Sequence, residues 1–265
     1  MRVLLSGRDG QVGWDLERLL DDVVATDRSA LNLSDEQAIR RLVREVKPEV
    51  VINAAAYTAV DKAESEKELA MRVNGIAPGI LAEEAKRLGA LLVHYSTDYV
   101  FDGEKKVPYA EGDKPNPVSA YGASKLEGER RIVASGGRHL ILRTSWVYAP
   151  RGRNFFLTMR KAKQPLRVVD DQRGVPTSSR FLAEYTLALL EKNAEGLLHL
   201  VPSGATTWYG FAREILGEKA DIAPIRSSEY KTAARRPANS VLDNRRAQAL
   251  LGPLPDWRDV FAAVR

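Results

Sequence analysis

Short continuous apolar runs alternate with longer amphipathic stretches through the first half of the chain, and this alternation limits the fold more than any other feature. Val3–Leu5, Val23–Thr26, Val50–Ala54, Leu91–Tyr95 and Leu140–Leu142 read as strands. A strand that is apolar on both sides has to be covered on both faces, as in a parallel sheet sandwiched by helices. The segments between them, about 11–20, 35–46, 66–88 and 119–135, carry the helical period. Ser34, with Gln37 three residues on, reads as the N-cap of the second helix. The order predicts a doubly wound parallel α/β sheet.

The alternation loosens after about residue 150. A helix over about 178–193 and a strand over 197–201 are expected to rejoin the sheet. Pro202, Pro224, Pro237, Pro253 and Pro255 then break the chain into short pieces. The expected organisation is a dinucleotide-binding domain over 1–150, completed by part of 166–201. A smaller substrate-binding lobe takes 202–265 with parts of 151–180. A 44% hydrophobic fraction against 28% charged supplies a core and argues against disorder.

The net charge of +5 is spread along the chain rather than gathered in a stripe, which argues against nucleic acid and suits an anionic small molecule. There is no cysteine, so disulfides and thiolate metal sites are excluded. No run approaches the ~20 apolar residues of a membrane span, and the apolar stretch after Met1 is too short for a signal peptide. A soluble, cytoplasmic protein is expected.

Gly7-Arg-Asp-Gly10-Gln11-Val12-Gly13 follows the first strand and opens the first helix. Such a turn lets a pyrophosphate approach the amides of a helix N-terminus. Out of context an ordinary glycine-rich turn would look the same; its place at the end of strand one points to a Rossmann fold. Asp27, at the end of the second strand, stands where an acid takes the adenosine ribose hydroxyls of NAD. Arg28 beside it could receive a 2′-phosphate. NADH and NADPH both remain open.

Ser96-Thr97-Asp98 ends the fourth strand, and Tyr121 and Lys125 sit one turn apart on the following helix. An ammonium near a phenol favours the phenolate and lowers its pKa. Tyr121 then reads as the proton donor to a nascent alkoxide, with Thr97 on the substrate oxygen and Lys125 on the nicotinamide ribose. The histidines, His94, His139 and His199, sit in or beside strands and read as packed or satisfied side chains. Asp170-Asp171 reads as a polar turn rather than a metal site.

Longer blocks carry a resemblance. Gly10-Gln-Val-Gly13-Trp14, Asn53 to Glu64, His94 to Phe101, Arg143 to Tyr148 and Arg235 to Ser240 resemble the dTDP-4-dehydrorhamnose reductase family of extended short-chain dehydrogenases, over nearly the whole chain. The resemblance implies reduction of the C4 ketone of dTDP-4-dehydro-L-rhamnose by NADPH or NADH. It implies that Gly7, Gly10, Gln11, Val12 and Gly13 meet the cofactor phosphates and Asp27, Arg28, Asn32 and Leu33 its adenosine end. Ala56, Tyr57, Thr58 and Tyr95 would line its channel. Thr97, Tyr121 and Lys125 would be catalytic, and Val60, Asp98, Tyr99 and Trp146 would border the sugar. Arg236 and Asn239 would meet the nucleotide diphosphate.

Two departures stand out. Some members dimerise through magnesium held in part by a Glu after the Trp of the glycine turn; here that residue is Asp15, one methylene shorter, which puts Mg2+ and a metal-linked homodimer in doubt. Asn32-Leu33 stands where relatives often carry an acid first. Two alternatives remain: a non-catalytic NADP-binding regulatory subunit, which would not need Thr97, Tyr121 and Lys125 together, and a nucleotide-sugar epimerase or dehydratase. A dehydratase generally places a carboxylate pair beside its tyrosine; here Asp98 is followed by Tyr99.

Overall fold

The five strands of the first half form, and the strand expected over 197–201 joins them as Gly196–His199. In the computed structural model, which describes residues 1–264, β1 (Val3–Ser6), β2 (Val23–Thr26), β3 (Val50–Asn53), β4 (Leu91–Thr97) and β5 (His139–Thr144) pair with the strand Gly196–His199. All neighbours are parallel. Their order is β2, β1, β3, β4, β5, Gly196–His199, so the winding reverses between β1 and β3. At such a switch point a crevice opens beyond the C-terminal strand ends, where open α/β sheets bind their ligands.

Strand alternation sorts the side chains into two cores. Leu5, Ile52, Val93 and Leu142 face one core, shared with Phe181 and Leu182 of helix Ser179–Glu191. Leu4, Val51, Leu92 and Ile141 face the other, against Ile39 and Val43 of α2 (Glu36–Val46) and Leu81 of helix Ala77–Leu88. Toward the C-terminal strand ends this second face turns polar. Ser6, Asn53, His94, Ser96 and Arg143 follow its apolar residues at the alternate positions, none more than 4% exposed.

Two expectations shift. The N-cap of α2 is Asp35 rather than Ser34: the Asp35 carboxylate accepts from the Ala38 amide at 2.9 Å, and Ser34 lies one residue too early. The stretch 66–88 is not one helix. Helices Lys67–Ala70 and Ala77–Leu88 are joined by a wide π-helical turn, Met71–Ile76. Within that turn the Asn74 carboxamide accepts from the Tyr57 amide (2.8 Å) and donates to the Tyr57 carbonyl (3.0 Å) and to Ser124 Oγ (3.1 Å). Periodicity cannot show a turn held open by such a long-range contact.

A third core gathers Phe101, Tyr148, Phe156, Phe211, Trp257 and Phe261. Its members come from both halves of the chain, so the two halves share this core. No helix among the described residues is long and apolar enough to cross a membrane.

Candidate active site

The glycine turn is shaped by its packing. Gly7 has φ +85°, and a Cβ there would stand 2.7 Å from the Ala55 amide nitrogen of the segment after β3. A Cβ on Gly13 would stand 2.0 Å from the Gly7 carbonyl oxygen. Gly10 is exposed and caps α1 (Gln11–Leu19), whose first turn has no side-chain cap. The amides at Gln11 and Val12 therefore face outward at the positive end of the helix dipole, an arrangement that fits a dinucleotide pyrophosphate. From the segment after residue 150, Asn154 donates to Gln11 Oε1 at 2.7 Å, and Arg151 stacks on Trp14, 3.6 Å from the ring centre.

Asp27 lies at the end of β2. The Ser29 hydroxyl, with the Ala30 and Ser29 amides, holds its carboxyl below the usual range. Arg28 is exposed beside it, as are Asn32, Ala56 and Thr58. The Leu33 side chain lies in the core with Ile39 and Val43, so only its backbone is left to face a ligand. The Tyr57 hydroxyl donates to Glu66 at 2.6 Å.

Helix Ala120–Ser135 brings the chemistry together. Its N-cap Ser119 accepts from the Gly122 amide at 3.1 Å, which sets Tyr121 and Lys125 in the first two turns, on one face. A Cβ on Gly122 would come within 2.1 Å of the Tyr99 carbonyl oxygen, so the helix seats directly on the turn after β4. There Thr97 Oγ1 donates to Asp98 Oδ1 at 2.9 Å and accepts from the Tyr99 amide at 3.1 Å. Tyr121 stands edge-on to Tyr99, ring centres 5.8 Å apart, with its hydroxyl beside Thr97. Burial pushes the Tyr121 phenol up to about 12, against the Thr97 hydrogen bond. Burial also pushes the Asp98 carboxyl up to about 6; the Ser240 and Thr97 hydroxyls pull the other way.

Lys125 departs from expectation. Its ammonium turns to the sheet, donating to the Tyr95 carbonyl at 2.5 Å and lying 3.1 Å from His94 Nε2. In this position it does not depress the Tyr121 pKa, and burial, opposed by Glu129, brings the lysine itself down to about 8. The Tyr95 phenol is on the opposite face of β4, bonded to Thr186 Oγ1 at 2.6 Å, so Tyr95 meets the site through its backbone alone.

Arg236 forms an ion pair with Asp61 at 2.9 Å, next to Val60, and its guanidinium also lies against the Tyr99 hydroxyl. Trp146 has φ +46° and stacks on Trp208, 3.5 Å between ring centres. Asn239 donates to the Lys105 carbonyl at 2.7 Å. It lines a cleft of about 570 Å³ with Lys106 and Arg173 that includes none of Thr97, Asp98, Tyr99 or Tyr121.

The chain as a whole has known relatives. Residues 1–264 match the family model described as the RmlD substrate binding domain. The chain belongs to this family. The dTDP-4-dehydrorhamnose reductase of Burkholderia thailandensis is 45% identical over 285 residues, 97% of this chain and 96% of its own. That of Escherichia coli K12 is 42% identical over 97% of this chain and 95% of its own. The crystal structure of the Bacillus anthracis dTDP-4-dehydrorhamnose reductase in complex with NADP has a TM-score of 0.95 at 33% identity, covering 99% of this chain and 98% of that one.

Within this RmlD-family chain, the structure brings Thr97, Asp98, Tyr99, Tyr121 and Arg236 together and leaves Asn239 in the adjoining cleft. Asp15 accepts from Ser179 Oγ at 2.5 Å, and no group of three metal-ligating side chains occurs among the described residues. Sequence reasoning missed the layer beneath the site. Glu129 and Arg143 form a buried ion pair at 2.6 Å, and Ser96 donates to the same carboxylate. Polar residues at alternate positions of otherwise apolar strands were the available signal.

Proposed function

We propose that this chain reduces the C4 ketone of dTDP-4-dehydro-L-rhamnose to dTDP-L-rhamnose, with NADPH or NADH as donor. The observation that carries the reading is the Tyr121 hydroxyl held beside Thr97, one helical turn from Lys125, at the strand ends where the uncapped glycine turn opens. The nicotinamide, when bound, supplies the hydride. Gly7, Gly10, Gln11, Val12 and Gly13 present the phosphate-facing amides, Asp27 and Arg28 meet the adenosine ribose, with Asn32 and the Leu33 backbone beside them, and Ala56, Tyr57 and Thr58 wall the channel. Tyr121 is protonated at neutral pH because burial raises its phenol, so it holds the proton the alkoxide needs. Thr97 orients the substrate oxygen. Lys125, one turn along the same helix, is the cation that would hold the nicotinamide ribose.

Val60, Asp98, Tyr99 and Trp146 border the sugar. Arg236 suits one phosphate of the diphosphate, and Asn239 would reach it from the neighbouring cleft. The substrate-binding lobe is the interleaved region of 202–265 with parts of 151–180. A soluble nucleotide sugar as substrate favours the cytoplasm. A homodimer is compatible with this reading, but Asp15, engaged by Ser179, offers little support for a magnesium link. The test is loss of absorbance at 340 nm with dTDP-4-dehydro-L-rhamnose. Stoichiometric oxidation yielding dTDP-L-rhamnose is expected; cofactor binding without oxidation would instead favour a regulatory subunit or an epimerase.

A further inference from the structure

We propose that His94 is a positioning residue for the reduction: its Nε2 holds the Lys125 ammonium, and a hydrogen-bonded row across the sheet decides which ring nitrogen is free to do so. The row is built by strand register. Ser6 on β1 is the Cα partner of Asn53 on β3, and Asn53 is the partner of His94 on β4. Ser6 Oγ donates to Asn53 Oδ1 at 2.8 Å, Asn53 Nδ2 lies 3.1 Å from His94 Nδ1, and His94 Nε2 lies 3.1 Å from Lys125 Nζ; this is the second of the two arrangements below. All four residues are 2% exposed or less, so each must be satisfied by its neighbours.

Two arrangements link the row from Lys125 to Ser6. With Lys125 cationic, Nε2 accepts from the ammonium, Nδ1–H donates to the Asn53 oxygen, and the amide NH2 donates to Ser6 Oγ. With Lys125 neutral, Nε2–H donates to the amine lone pair, Nδ1 accepts from the amide NH2, and the Asn53 oxygen accepts from Ser6. Passing from the first to the second releases one proton from Lys125, exchanges the imidazole tautomer and turns the amide over. The imidazole is neutral in both. Burial, then the Lys125 charge, keeps its pKa well below the ordinary value.

The groups that set the lysine charge can be named by element. Tyr121 and Glu129 lie on its own helix. Arg143 approaches from β5 but is bound to Glu129, and Asp98 and Tyr99 come from the turn after β4. Among the described residues no carboxylate is within ion-pair distance of Nζ, so its direct partners are the Tyr95 carbonyl and His94. A hydrogen bond to a charged group is worth enough to move its titration by about one to two pH units. Without the imidazole, Lys125 would lose its proton at a lower pH, and with it the ammonium that the reduction needs.

The kinetic part rests on the reductase reading, so the test has two arms. In the first, turnover is followed against pH for the native enzyme, His94→Leu and His94→Gln, with cofactor affinity measured alongside. His94→Leu should move the alkaline limb down by about one to two pH units. His94→Gln, which keeps an acceptor, should restore it, with cofactor affinity unchanged below the limb. An unmoved limb in His94→Leu overturns the proposal. The second arm needs neither a variant nor turnover: 15N NMR of the native protein, which has three histidines. The His94 ring should pass from the Nδ1–H to the Nε2–H tautomer as Lys125 titrates. A fixed tautomer across that range overturns the proposal even if the reductase reading stands; a switching tautomer shows that His94 and Lys125 are coupled even if that reading fails.

Discussion

Removing the carboxylate of Glu129 should be among the most damaging single changes outside the hydrocarbon core. Its side chain is 7% exposed and that of Arg143 3%. Glu129 accepts from Arg143 Nε at 2.8 Å, from Arg143 Nη2 at 2.6 Å and from Ser96 Oγ at 2.5 Å. Arg143 Nη1 already lacks a partner among the described residues. Glu129→Ala therefore leaves a buried guanidinium without its counter-ion, a change that costs about 3–5 kcal/mol. That is a large share of the ~5–15 kcal/mol by which a domain is stable. Glu129→Leu combined with Arg143→Met removes both charges and should recover most of the loss, because the pair's attraction roughly balances its desolvation. Urea unfolding at pH 7 measures both. A loss below about 1 kcal/mol in Glu129→Ala, or a double variant no more stable than the single one, would refute the reasoning.

Tyr121→Phe should lower turnover by about 10²–10⁴ with cofactor affinity unchanged; near-normal turnover would remove the phenol from the mechanism. Asp98 titrates at about 6 in the folded protein, against 3.8 for an ordinary aspartate. Its favourable contribution is therefore complete below pH ~3.8 and lost as pH rises toward ~6. Asp98→Asn should accordingly be more stable than the native protein at pH 7 but not near pH 4. The gain is a few kcal/mol at most, since each tenfold change in a proton affinity is worth about 1.4 kcal/mol. An equal effect at both pH values in urea titrations would refute this. Asp27→Asn should improve KM for NADPH relative to NADH, because its carboxylate opposes a 2′-phosphate, and Arg28→Ala should do the reverse; unchanged KM ratios would remove both residues from cofactor discrimination.

The parallel sheet was legible because its strands are continuously apolar, and Tyr121 with Lys125 was legible because four residues are one helical turn. Contacts between distant segments were not. Nothing local tells Ser34 from Asp35 as a cap, or shows that Asn74 will open a helix to reach Tyr57. The direction of Lys125 depends on His94, which is 31 residues away and looks like any histidine in a buried strand. Tyr95 and Leu33 show the limit of reading by neighbourhood: each follows the right motif, yet its side chain falls on the wrong side of the backbone for a ligand.

The row from Ser6 through Asn53 to His94 also bears on how the gene can change. Parallel strands have a two-residue repeat, so inserting or deleting one residue in β1 or β3 would turn its polar member onto the opposite, apolar face. The same accident would bury an unsatisfied amide or hydroxyl and strip the lysine of its support. Folding errors of register would then not persist as folded but idle enzyme. They would be unstable as well as inactive, open to clearance by proteolysis.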